Sequence, residues 1–201
     1  MPVASDPIRV RWSLLWLCAA ALLWGLPRPA AAQRDSLEER RRQAQVEKFE
    51  DARKRFTQSL EKIAVYCDRN GFTDDAAEIR EFGRPVPRGE LTRRDLPAKV
   101  QEGIPSDLPA VERQWRVELQ HLRQEHAIEL YQLAQRVLEI GDVRFAFDLV
   151  HEAGRMDPDC KPVRAFLGYE RSGDEWVTPF EARMRRDHFV NTPQFGWLPK
   201  D

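Results

Sequence analysis

His151-Glu152 opens the zinc-protease pattern His-Glu-x-x-His, in which two histidines one helical turn apart hold the metal and the glutamate acts as base. The closing position is Arg155, so the second ligand is missing. Glu118-x-x-His121 matches one half of a di-iron helix pair, and the required second copy does not follow. His121 and Glu125 stand four residues apart on one helical face, yet no third ligand shares the pattern. His126 falls on an apolar stripe, where a hydrogen-bonded core histidine is the expected role rather than a base. No Cys-x-x-Cys, phosphate-cradling glycine loop or Gly-x-Ser-x-Gly elbow is present. The sequence therefore assigns no catalytic residue, no cofactor and no metal site.

What it offers instead is aromatic and sulfur side chains. Trp115, Tyr131, Trp176, Phe195 and Trp197 are the candidate packing or interaction anchors. Phe195, Trp197 and Leu198 are too apolar to be left in water without a reason. They are expected to pack back on the helices, or to meet a partner. Cys67 and Cys160 form an even pair beyond residue 32. A disulfide between them stays open beside the alternative of two buried thiols, because spacing alone does not establish that they meet.

The elements that must position these residues are mostly helical. Ser36-Leu37-Glu38-Glu39 has capping-box spacing, and Phe49, Ala52, Phe56, Leu60, Ile63 and Cys67 recur in steps of three and four. A long helix follows from that stripe, ended by Asn70-Gly71. A shorter helix near 74–82 folds back with Ala76, Ala77 and Ile79 facing the first. Five prolines and three glycines between Gly83 and Pro109 break the helical pattern. That stretch is either a linker or an arm laid across the helices, and Leu91, Leu96, Val100 and Ile104 favour the arm.

Residues 110–140 carry a continuous stripe from Val111 through Trp115, Leu119, Leu122, His126, Leu130, Leu133 and Val137 to Ile140. Ser106 or Asp107 is the expected cap, with Pro109 near the first turn. Gly141-Asp142 makes the turn into a helix over 143–156, which Asp157-Pro158 stops. Within this pair, residues 127–160 read as one 34-residue unit. Leu133, Ala134, Gly141, Ala146, Ala153 and Pro158 occupy the small and apolar positions of a tetratricopeptide repeat. Pro162–Leu167 is expected to begin a capping helix. Beyond it, Ser172-Gly173-Asp174 is a turn between two short strands, and Thr178-Pro179-Phe180-Glu181 starts a short helix.

The predicted fold is thus mostly α: tetratricopeptide-like helical hairpins, a long Pro-rich connection and a small β-hairpin-plus-helix tail. Its expected divisions are a signal peptide over 1–32, a long plus a short helix over 33–82, and the linker or arm over 83–109. The helical hairpin spans 110–167, and the tail module spans 168–201.

Leu167-Gly168-Tyr169, Trp176-Val177-Thr178, Phe180-Glu181 and Phe195-Gly196-Trp197-Leu198 resemble a signature of uncharacterised exported bacterial proteins. Those proteins place it just after a tetratricopeptide-like hairpin. The resemblance covers roughly residues 127–199 and implies a helical hairpin followed by a small β-containing tail. In that family the chain often continues, sometimes into a protease or other hydrolase region.

Arg9 and Arg11, the apolar run Trp12–Leu26 and Ala30-Ala31-Ala32 describe a secretory signal peptide, with cleavage expected after Ala32. Periplasmic or secreted localisation follows. Beyond residue 32 the chain keeps 29 basic and 32 acidic side chains, a near-balance that argues against a general nucleic-acid or anionic-membrane binder. The leading expectation is an exported interaction protein whose partner is another envelope or extracellular protein, with no nucleic acid and no membrane beyond the export signal. The alternative is the amino-terminal scaffold of an envelope hydrolase or protease, truncated here or paired with a separate catalytic chain. A coiled-coil assembly through residues 37–67 is a third reading.

Overall fold

Six helices and two β-hairpins are seen in the computed structural model, which describes residues 30–87 and 96–200, with side chains from residue 36 onward. The predicted signal peptide lies outside the described residues apart from Ala30-Ala31-Ala32. The chain divides into two compact units, 1–40 and 41–201. In the first, the described residues are the opening turns of helix α1 (Ala30–Arg69). Ser36 therefore lies inside a helix and not at its cap: the alanines and long side chains on either side of it are good helix formers, and a capping pattern among them stops nothing.

In the second unit α1 buries Phe49, Ala52, Phe56, Leu60, Ile63 and Cys67, the stripe read from the sequence. Gly71 adopts a φ of 85°, a conformation glycine reaches without steric cost, and the Phe72 amide donates back to the Cys67 carbonyl at 2.9 Å. Helix α2 (Thr73–Phe82) then packs through Ala76 and Ile79. Ala77 is exposed, because it lies about 100° around the helix from Ala76.

Helix α3 (Ala110–Glu139) begins after Pro109, whose position takes the cap; neither Ser106 nor Asp107 does. It buries Trp115, His126, Ala127, Leu130, Leu133, Ala134 and Val137, while Val111 at its start is exposed. Helix α4 (Val143–Met156) is capped as expected by the Asp142 carboxylate, which accepts from the Phe145 amide at 3.2 Å. Ala134, Ala146 and Ala153 are buried, and small side chains of this kind let the packed pair α3 and α4 approach closely. Phe49 of α1 meets Phe145 of α4 edge-on at 5.7 Å, and Phe56 stacks on His126 at 4.0 Å. These contacts make α1, α3 and α4 share one core. A Leu or Val buried there is worth about 1.5–3 kcal/mol.

Helix α5 (Lys161–Phe166) leads into β1 (Glu170–Ser172) and β2 (Glu175–Val177), paired antiparallel around Gly173. Helix α6 (Pro179–Arg186) carries the capping box in full. The Glu181 amide donates to Thr178 Oγ1 at 3.2 Å, and the Thr178 amide donates to Glu181 Oε2 at 2.6 Å. A second hairpin, β3 (Phe189–Thr192) and β4 (Gly196–Pro199), was not anticipated from the sequence.

Candidate interaction site

Arg164 organises the junction between helices and tail. Only 1% of its surface is exposed. Its Nε donates to the Pro158 carbonyl at 2.5 Å and its Nη2 to the Pro97 carbonyl at 2.6 Å. The guanidinium also lies 5.3 Å from the ring centres of both Tyr169 and Trp176. That gives a structural reason for the Leu-Gly-Tyr and Trp positions: the two aromatics cover a buried cation that, among the described residues, has no carboxylate in direct contact. Burial pulls the Arg164 pKa down, and Asp159 opposes this.

Asp159 ties the same junction from the other side. One carboxylate oxygen accepts from Trp176 Nε1 at 2.7 Å, the other from the Gln101 amide at 2.8 Å. Residues 97–101 consequently run beside β2. The Trp176 amide donates to the Ala98 carbonyl at 2.7 Å, and the Val100 amide donates to the Asp174 carbonyl at 2.8 Å. Leu96 reaches Gly154 on α4, where an added Cβ would sit 3.0 Å from Leu96 Cδ2. This part of the Pro-rich stretch is an arm and not a free linker; Leu91 lies outside the described residues.

Past the arm, residues 101–105 face α3 across a groove of about 430 Å³. Ile104 and Pro105 form one side; Trp115, Leu119, Gln120 and Arg123 form the other. The volume falls in the range of small-ligand and peptide side-chain sites. Trp115 is 4% exposed, and its Nε1–H is buried without an acceptor. Arg116 lies over the Trp115 ring at 4.7 Å and is neutralised by Glu112 at 2.8 Å. Arg123 packs its guanidinium 4.3 Å from the Phe82 ring, and burial lowers its pKa. Of the groove residues the sequence had singled out Trp115 as an anchor, Leu119 on the helical stripe and Ile104 on the arm; that they meet depends on the return of 101–105, which no local spacing reveals.

The remaining anchors separate by environment. Tyr131 is half-buried, edge-on to Phe166 at 6.3 Å, and Trp176 is buried in the junction. Trp197 is half-buried against Phe180 at 6.3 Å, whereas Phe195 is 73% exposed. Phe195 therefore does not pack back on the helices. Cys67 and Cys160 are both free and buried, and burial raises both thiol pKa values. The bond weighed between them is not made.

The catalytic candidates stay apart. His126 is a core residue with 4% exposure, but its Nε2 is buried without a partner and its Nδ1 is 3.9 Å from Glu129 Oε2. It is therefore stacked and not hydrogen-bonded as expected. Burial, reinforced by Arg53 and Arg55, holds its pKa at about 4, so it is neutral at pH 7. Ser59 lines the same small cavity of about 130 Å³ and donates no bond to Nε2. Glu152 is buried beside Arg53 at 3.7 Å, and burial raises its pKa. His121 and Glu125 are an exposed pair at 3.5 Å. Among the described residues no three His, Cys, Asp or Glu side chains are grouped to hold a metal. Compared with known proteins, the chain matches no family model, no curated protein and no solved structure.

Proposed function

We propose that this protein is an exported helical adaptor that binds a segment of another envelope or extracellular protein and performs no chemistry itself. The groove beside Trp115 carries the reading. It is open and lined by Ile104, Pro105 and Leu119 with Gln120 at hand, a mixture suited to an apolar side chain flanked by peptide groups. The close-packed α3 and α4, with alanines at 134, 146 and 153, support a tetratricopeptide-like hairpin as the presenting scaffold. The basic start, apolar run and Ala-x-Ala end support export.

The test is affinity capture of the tagged chain from an envelope extract, with two groove-filling variants beside it. A Cβ added at Gly103 meets nothing within 4 Å, and Gln120 is exposed, so Gly103→Trp and Gln120→Trp add bulk at the groove from positions outside the core. One stoichiometric protein held by the unaltered chain and lost from both variants is expected. Capture that both variants leave untouched would refute the groove as the binding site.

A further inference from the structure

We propose that the β1–β2 hairpin is a latch on the Trp115 groove: it holds the wall formed by the arm, and its release opens the groove. What the latch means for binding rests on the groove being the binding site. The arm is anchored to the hairpin junction at residues 97, 98, 100 and 101. The Pro97 carbonyl accepts from Arg164, whose guanidinium lies against the Trp176 ring. The Ala98 carbonyl accepts from the Trp176 amide, and the Val100 amide donates to the Asp174 carbonyl. The Gln101 amide donates to Asp159, whose other oxygen accepts from the Trp176 indole. Trp176 thus enters three of these anchors, and the turn joining β1 to β2 supplies the fourth.

Beyond Gln101 the anchors stop. Glu102, Gly103 and Ile104 make no hydrogen bond among the described residues, and a Cβ at Gly103 would meet nothing within 4 Å. The next tie is at the start of α3, where Arg113 donates through its side chain to the Leu108 carbonyl and through its amide to the Pro109 carbonyl. The wall facing Trp115 and Leu119 is therefore a span hung between two ends. One end is the first turn of a long helix. The other is set by Asp159, a single carboxylate shared between arm and hairpin. The hairpin is also small enough to let go. Its strands have three residues each, and the arm adds one bridge, Lys99 to Glu175. A ribbon of that size is marginal without its packing partners. Coupling of this kind is reciprocal, so a segment seated against the latched wall also tightens the hairpin.

The wall can be watched without any partner. The full chain carrying Cys18→Ser receives nitroxides at Gly103→Cys and Arg144→Cys, Cys67 and Cys160 being buried. A second pair, Gln124→Cys with Arg144→Cys, reports α3 against α4 alone. Pulsed electron–electron double resonance should give one narrow distance distribution for each pair in the unaltered background. Asp159→Asn turns an amide NH₂ toward one of the two donors, and Trp176→Phe removes the indole donor while keeping a ring beside Arg164. Both should broaden the 103–144 distribution and leave the 124–144 distribution as it was. A wall unmoved in both variants would overturn the latch. Equal broadening of the two pairs would overturn it as well, since that marks a fold loosened throughout. Affinity capture from envelope extract separates the latch from the groove. A chain that captures nothing counts against the groove, and the wall measurement still decides the latch. Where a protein is captured, both variants should weaken its retention about tenfold. Retention undiminished with the wall displaced would overturn the hairpin's control of binding.

Discussion

Replacing His126 with phenylalanine should remove one specific acid sensitivity and little else. The imidazole stacks on Phe56, makes no hydrogen bond through Nε2, and sits beside Arg53 and Arg55. Its folded pKa of about 4 lies below the ordinary 6.5, so the unfolded chain takes up a proton that the folded chain refuses. The contribution is whole above about pH 6.5 and is lost as pH falls toward about 4. Linkage over that window amounts to about 3 kcal/mol, of which about 2.5 kcal/mol is reached by about pH 4.5. Glu152 and Asp157, whose pKa values burial raises, push the other way, because each gains stability as it protonates in the fold. A bare pH profile mixes these terms, and the difference between wild type and His126→Phe isolates the histidine. Urea unfolding followed by circular dichroism should find the two proteins within about 1 kcal/mol at neutral pH, since no bond at Nε2 is lost. By about pH 4.5 the variant should lead by about 2.5 kcal/mol. Parallel stability curves across that range would refute the assignment of a buried, neutral His126.

The junction yields three further expectations. Arg164→Met leaves the Pro97 and Pro158 carbonyls without their donor and should destabilise by about 3–4 kcal/mol, with faster amide exchange at Val100 and Trp176; a loss below about 1 kcal/mol would contradict the clamp. Gly154→Ala drives a methyl against Leu96 and should cost about 1–3 kcal/mol, largely restored by Leu96→Ala in a double-mutant cycle. Cys67 and Cys160 should resist alkylation in the native protein and both react after unfolding without reductant, whereas failure to label would reveal a disulfide.

Local signals were read well where local chemistry decides. Asp142 and Thr178 bond as their spacing implies, and the α1 stripe from Phe49 to Cys67 is the buried one. The Ser36 box has the same spacing as the Thr178 box and fails because helix already surrounds it. Arg164 looked like an ordinary basic residue in a short helix. Its partner at Pro97 is 67 positions away, and no periodicity announces such a bond. The groove is hidden for the same reason, since one side comes from a proline-rich segment whose path is set by Asp159, Asp174 and Trp176. The second hairpin was missed because Thr192-Pro193-Gln194-Phe195-Gly196 lacks the tight two-residue turn that marks hairpins most clearly.

The central claim, that the Trp115 groove receives another protein, is most directly tested by placing a photo-crosslinking residue at Gln120 in cells and comparing it with the same residue at Arg144, which is exposed and does not line the groove. One discrete protein adduct from position 120 and none from 144 is expected. No adduct at 120, or the same adducts from both positions, would contradict it.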